Sequence, residues 1–366
     1  MKALELAVMS AETMMKKYTA KDLPPVGHFH YHQGVFLSGM QHLWMMTGDI
    51  RYFNYAREWV DSTLGEDGFP FDQDKNALDD MQPGVLLYPI MDEVGEGNYK
   101  KILDRIISYI DNWPTTPEGG FYHKVGGRAE NMWLDGMYMG GPVTLEYAIR
   151  YSRPDLIPVV MRQMRLMRDR MTDEKTGLMY HTYDPRRIMD WADPESGCSS
   201  HFWGRAIGWY AATMFILADL LPEENACRRE LIGKGTELVS ALLEFRDEKT
   251  GLWYQVVDRS DDPENWHEIS CSCLYLYLYA LCSAVRLGAL DKEKMRPVAE
   301  ASLRGIEGTL NFGENGYLGV RGVCIETGVG NYAHYLARPT SENDLHGVGA
   351  FLLMACEYAK VFENEN

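Results

Sequence analysis

Carboxylates set inside apolar runs are the first residues of this chain with chemistry to offer. In MWLDGMYMGGP, Asp135 stands among apolar and small residues at the head of a segment that reads as a helix. Burial without a partner raises a carboxyl pKa toward the range useful to a general acid, although an N-cap is the other role open to such a residue. In LDDMQPGVLLY, Asp79 and Asp80 precede a second segment of this kind, where caps or solvated loop positions compete with a functional role. One of them together with Asp135 would supply the two carboxyl groups that general acid–base work on a sugar requires. In HFWGRAIGWY, Arg205 lies between Trp203 and Trp209, with Gly204 and Gly208 allowing close approach. A guanidinium so enclosed needs an anion, either a structural carboxylate or that of a substrate.

Basic residues recur at matching places. His123-Lys124 and His181 each follow a glycine-led turn, where ordinary loop duty competes with a role in proton transfer or binding. HFHYH sets His28, His30 and His32 on one side of an extended segment, the beginning of a metal site. No cysteine or carboxylate at ligand spacing completes it, so no metal is expected. Cys271 and Cys273 form no CxxC motif, and core packing is the reading they favour. GxSxG, Walker and dinucleotide-binding patterns are absent.

These residues must be carried by a repeating framework. Gly27, Gly68, Gly120, Gly177, Gly251 and Gly316 each lead a short apolar or aromatic stretch and recur about every 58 residues, a period suited to a helical hairpin with a long loop. Segments such as NYKKILDRIISYIDNW, before the glycines, alternate charged and apolar residues as helices with one wet face. Segments after them, such as GRAIGWYAATMFILADLL, are apolar nearly all round and read as buried helices. Six outer and six inner helices alternating in this way predict an all-α (α/α)6 barrel spanning residues 1–366 as a single domain, with few strands. An open solenoid would not need one whole set of helices to be so poor in charge. In such a barrel the loops leading into the inner helices share one end, so their aromatic, basic and acidic residues should meet in one cavity.

Composition narrows the partners. The chain has 366 residues, of which 46% are hydrophobic and 24% charged, with a formal net charge of −17. That excess of acid excludes a nucleic-acid-binding role, which needs basic stripes. No apolar run approaches the roughly 18 residues that cross a bilayer, and no membrane association is expected. The N-terminal MKALELAVMSAETMMKKY has helical spacing and not the plan of a signal peptide, and seven cysteines without a framework fit a reducing compartment. The expectation is a cytoplasmic protein; its oligomeric state is not legible.

The motifs GGFYHK, MWLDGMYMGGP, GLMYHTYD, DWADPESG, FWGRAIGWY, GLWYQVVD and NDLHGVGAFLLMACEYA resemble, in order and spacing, the unsaturated rhamnogalacturonyl hydrolases of glycoside hydrolase family 105, with the unsaturated glucuronyl hydrolases of family 88 more distant. The likeness runs over essentially the whole chain and carries the same barrel. It implies hydration of the C4=C5 double bond of an unsaturated uronic acid at the end of a short, lyase-generated pectin oligosaccharide, after which the glycosidic bond breaks. By that resemblance Asp135 is the general acid/base, and Asp79 the second aspartate, helping to keep Asp135 protonated by like-charge repulsion. Tyr31, His123, Lys124, Trp133, Met139, His181, Arg205 and Trp209 match positions lining the sugar subsite, with Arg205 or Lys124 meeting the uronate carboxylate. No metal or organic cofactor is implied. The chain departs from the family pattern at Gly141-Pro142-Val143, at His201 and in HFHYHQG, changes expected to touch the rim of the pocket.

Three other readings compete. The family 88 activity on glycosaminoglycan or other lyase products differs beyond the first subsite. An (α/α)6 sugar isomerase would work through histidines, and a helical scaffold or sugar-binding protein would have no need of a buried Asp135.

Overall fold

A computed structural model describes residues 1–64, 77–127, 130–265 and 272–364, side chains at 272–274 excepted; Gly68, Cys271 and the Cys273 side chain lie outside the described residues. Six outer helices, α1 (Ala3–Lys17), α3 (Ile50–Thr63), α5 (Gly97–Asp111), α7 (Leu156–Met171), α9 (Ala226–Glu244) and α11 (Lys292–Glu307), alternate with six inner ones. The inner set is α2 (Tyr31–Thr47), α4 (Leu87–Val94), α6 (Asp135–Arg150), α8 (Gly204–Leu220), α10 (Ser272–Arg286) and α13 (Leu345–Tyr358), while a short α12 (Tyr332–Leu336) sits in the last loop. Around the ring α2 meets the turn Gln82–Leu86 that leads into α4, that turn meets α6, and α8, α10 and α13 follow until α13 returns to α2. The architecture is the expected (α/α)6 toroid.

Sequence chemistry separates the two layers. On α5 the buried residues are Tyr99, Ile102, Leu103, Ile106, Ile107 and Ile110, a stripe at helical spacing with charged residues on the other face. On α13 every residue from Leu345 to Tyr358 is buried, because it has an outer helix behind it and inner neighbours on both sides. The segment Leu345–Glu363 is also apolar enough by composition to cross a membrane, but 94% of that window is covered within the ring. His346, Glu357 and Lys360 interrupt it, so no unbroken apolar run in it reaches spanning length.

The recurring glycines close turns. In both Asp173–Gly177 and Asp247–Gly251 the glycine N–H bonds back to the aspartate carbonyl, and the aspartate carboxylate accepts from a threonine N–H and hydroxyl. The glycines sit at φ +72° and +75°, where a side chain is strained. Strands are short, as expected. Three two-residue pairs and single bridges such as Ala77 to Lys124 tie the loops at one end of the ring to one another.

Ring closure relies on glycine at helix–helix contacts. A Cβ at Gly349 of α13 would lie 2.4 Å from the Val35 carbonyl group on α2, against backbone that cannot give way cheaply. Gly349→Ala is therefore expected to lower stability by about 1–3 kcal/mol. Gly233, exposed on α9 with nothing within 4 Å of its Cβ position, gives the opposite expectation. Gly233→Ala should raise stability by about 0.5–1 kcal/mol. Chemical denaturation of the two variants beside the parent protein checks both signs.

Candidate active site

The first turns of α2, α6, α8 and α13 open at one end of the toroid, and the loops before them stack there. Leu78 N–H donates to the His123 carbonyl, His123 N–H to the Asn131 carbonyl, and Leu134 N–H to the His181 carbonyl. This chain of backbone bonds brings three separate loops into one wall. Tyr31, Asp79, His123, Lys124, Trp133, Asp135, Met139 and Arg205 line a small inner pocket of about 40 Å³, together with Glu326, Thr327 and Gly328. Asp79, Lys124 and Glu326 also border an outer basin of about 790 Å³, which His28, His30, His32 and Asp80 face.

Asp135 is the first residue of α6 but does not cap it. Its side chain is 8% exposed, and Oδ2 lies 3.5 Å from His181 Nε2, within charge contact but beyond a good hydrogen bond. Both atoms are buried without a hydrogen-bond partner among the described residues. His181 is held from behind by the Tyr335 hydroxyl at 2.9 Å from Nδ1 and packs against Trp133 and Trp203. An ionised carboxylate only accepts, so the neutral ring that suits it carries its proton on Nε2 and takes the tyrosine's hydrogen bond on Nδ1.

The electrostatics differ from the expectation of a raised carboxyl. Burial pushes the Asp135 pKa up, but His181, His123 and Arg205 outweigh it and hold the group below its ordinary value. Burial lowers His181 despite the neighbouring carboxylate. Asp79 is held on the anionic side as well. Its Oδ1 lies 3.2 Å from His123 Nε2, and although burial opposes it, His123, His30 and Lys124 hold the carboxyl far below the usual range. His123 in turn stacks on Trp133 at 4.7 Å and 11°. Asp79 thus pairs with a histidine and lines the same pocket as Asp135 as a second negative charge.

Arg205 meets neutral acceptors where an anion was expected. Nη1 donates to the Cys324 carbonyl and to His346 Nε2, and Nη2 donates to the Ile325 carbonyl. Its guanidinium rests 4.4 Å from the Trp203 ring centre. The arginine therefore pins the segment that carries Glu326, Thr327 and Gly328 over the pocket. Lys124 is differently placed: its Nζ is 3.9 Å from Glu326 Oε1 and 5.5 Å from the Trp133 ring centre, and its side chain is 39% exposed.

Two carried-over positions fall elsewhere. Trp209 follows Arg205 by one helical turn and is sealed below the pocket against Tyr138, at 4.4 Å between ring centres. Gly141-Pro142-Val143 lies in the middle of α6 and not at the rim, because the helix runs straight down the barrel from Asp135. His201 packs near Tyr332 and Tyr335, and the HFHYH histidines border the outer basin.

The residues missed are Glu326, Thr327, Gly328, Tyr335, Asp344 and His346. A carboxylate does complete the histidine set: His32, Asp344 and His346 present ligand atoms within 4.8 Å of one another. His346 Nδ1 is 2.7 Å from Asp344, while its Nε2 already faces the Arg205 guanidinium, so these two form a hydrogen-bonded pair beside a fixed cation, with His32 Nε2 3.9 Å from the carboxylate. The available signal was a polar pair, Asp344 and His346, heading an otherwise apolar inner helix, the same pattern that singled out Asp135.

A toroid whose mouth gathers carboxylates, histidines, a lysine and an indole face has the build of a carbohydrate-processing enzyme. Residues 6–362 match the model of Glycosyl Hydrolase Family 88, and the chain belongs to that family, a glycosidase. It is 28% identical over 244 residues to the unsaturated rhamnogalacturonyl hydrolase YesR of Bacillus subtilis, covering 65% of this chain and 66% of that protein. It is 32% identical over 232 residues to protein Atu3128 of Agrobacterium fabrum, covering 60% of this chain and 97% of the relative. A family 105 glycoside hydrolase from C. acetobutylicum shares the structure with a TM-score of 0.89 at 29% identity, over 97% of this chain and 99% of that one. An unsaturated glucuronyl hydrolase specific for heparin has the same fold, with a TM-score of 0.73 at 12% identity over 99% of this chain and 97% of that one.

The histidine shell has a direct readout. In carbon-detected NMR of the free protein, the Asp135 carboxyl should titrate below 3.8. Removing the imidazole in His181→Ala takes away the neighbour that most favours the anion, so the midpoint should move upward. A midpoint that is unchanged or falls would contradict the assignment.

Proposed function

We propose that this glycosidase removes an unsaturated uronic acid from the non-reducing end of short, lyase-generated rhamnogalacturonan oligosaccharides, by adding water across the C4=C5 double bond. The observation that carries this reading is the Asp135 carboxyl: buried in the pocket wall, with one oxygen lacking a hydrogen-bond partner among the described residues and a histidine 3.5 Å away. The name of YesR supports the pectin-derived substrate over a glycosaminoglycan one.

In this mechanism Asp135 first carries a proton, gives it to C4, and takes a proton from the water whose oxygen bonds to C5. The net change is one water added, with the acid regenerated. The C5 hemiketal then opens, and the aglycone leaves as its alcohol. An anionic substrate opposes ionisation of Asp135, so binding itself shifts the carboxyl toward the protonated form that the first step uses. His181, tethered by Tyr335, steadies the anion that remains after the proton has gone. Trp133 offers a stacking face, and Tyr31 and His123 offer polar contacts to hydroxyls.

Arg205 spends its fork on the Cys324 and Ile325 carbonyls, so Lys124 is the cation suited to the uronate carboxylate, exchanging Glu326 for it. We further propose that the chain acts as one catalytic domain in a reducing, cytoplasmic setting; Cys198, Cys227, Cys282 and Cys356 carry free thiols.

The direct test mixes the protein with unsaturated rhamnogalacturonan disaccharide and follows the ultraviolet absorbance of the conjugated C4=C5 carboxylate. Loss of absorbance with release of rhamnose is expected, and Asp135→Asn should reduce the rate by about a thousandfold. Turnover of an unsaturated glycosaminoglycan disaccharide alone would reassign the substrate; an inert, folded protein would overturn the reaction. Lys124→Met should raise KM by about tenfold or more with a smaller change in kcat, since it removes binding of a charge present in both ground and transition states. Glu326→Gln should lower KM, by releasing Lys124 from its competing partner.

A further inference from the structure

The inner helices end in a second cavity. Where α2, α6 and α8 carry Tyr31, Asp135 and Arg205 in their first turns, their last turns border a space of about 450 Å³ at the opposite end of the toroid. Glu146 lies eleven residues along α6 from Asp135, about 16 Å away at the rise of a helix. None of the groups assigned to the reaction lines this cavity.

Its walls combine three properties. Apolar surface comes from Trp44, Met45, Pro142, Ile216 and Leu220. Two tyrosines, Tyr138 and Tyr279, reach it while only 4% and 5% exposed, and neither hydroxyl has a hydrogen-bond partner among the described residues. A buried phenol of this kind ordinarily finds a partner. Four carboxylates, on Asp92, Glu93, Glu146 and Asp219, face one arginine, Arg150, among the lining residues. Arg150 already pairs with Asp92 and Glu146. Asp219 pairs with Arg286 from behind the wall, so two guanidiniums answer four carboxylates, and burial pushes the Glu146 carboxyl up to about 7.

We propose that this cavity is a binding site for a small organic cation with a flat apolar body, of the arylamine or aryl amidine class. The aromatic and aliphatic walls would take the flat body, the tyrosine hydroxyls would accept from its N–H groups, and the surplus carboxylate would take its charge. The chain's net charge of −17 favours a cation at long range as well. An anionic sugar, the ligand proposed for the mouth, would meet the wrong sign here.

Benzamidinium and its neutral isostere benzamide provide the probes, with binding to the intact protein measured by calorimetry and saturation-transfer NMR. Benzamidinium should bind at least tenfold more tightly than benzamide. Ile216→Trp, which fills the cavity, should abolish binding, and the gentler Glu146→Gln and Tyr279→Phe should each weaken it severalfold in proteins that melt like the parent. Asp135→Asn should leave it unchanged, which separates this site from the catalytic mouth and from the fate of the hydration reading. Equal binding of benzamide, no binding of benzamidinium, wild-type affinity in folded Glu146→Gln and Tyr279→Phe, or loss of binding in Asp135→Asn would each overturn the proposal.

Discussion

The closest helix contact in the molecule is the return of α13 onto α2, where Gly349 meets the Val35 backbone and Gly39 meets the Gly349 carbonyl. Were either glycine to carry a side chain, the two helices would have to shift apart and their packing would weaken. Closure is what makes the inner helices parallel in sense, since each is reached from its outer partner by a loop at the same end. Their N-termini consequently point to one mouth. Free N–H groups and the positive ends of helix dipoles converge there, giving the mouth a bias toward anions before any side chain is counted.

His181, His123 and Arg205, gathered at that mouth, keep a carboxyl as buried as Asp135 an acid stronger than usual. Desolvation alone would neutralise it. The histidines that counter desolvation are themselves held by groups outside the pocket: His181 by Tyr335 and His123 by Asp79. A proton on Asp135 is therefore costly in the free protein and becomes favourable only when another negative charge enters the same space. On the proposed reading the substrate's own carboxylate supplies it, so the acid is armed by the molecule it acts on.

Much of this was legible in the chain. The alternation of half-charged and charge-poor segments gave both helix layers and their number, because a helix buried on all sides cannot hide its composition. Asp135, Tyr31, His123, Lys124 and Arg205 were legible as chemistry in helix heads and turns, and the fold brings them to one wall. Glu326, Thr327 and Gly328 were not. They lie in irregular chain with no period to read, and they reach the pocket only because Arg205 bonds the carbonyls beside them. The depth of Trp209 and Pro142 was equally hidden: position along a helix axis depends on where the helix starts relative to the mouth, which spacing alone does not report. The direction of the Asp135 shift was misjudged for a related reason. Burial is visible in apolar neighbours, but the histidines that offset it come from loops far away in sequence.

Charge decides what length of substrate such a mouth can serve. At physiological salt the field of the whole chain fades over about 8 Å, so a short fragment inside the pocket feels Lys124, Arg205 and the helix N-termini more than the distant acidic surface. A long polyanion would trail its remaining carboxylates across the outer basin. There it would meet Asp80, Glu326, Glu342 and Asp344 against Lys17 and Lys124. On the proposed reading each further uronate would meet more carboxylates than cations there, which favours a single charged residue followed by neutral sugar.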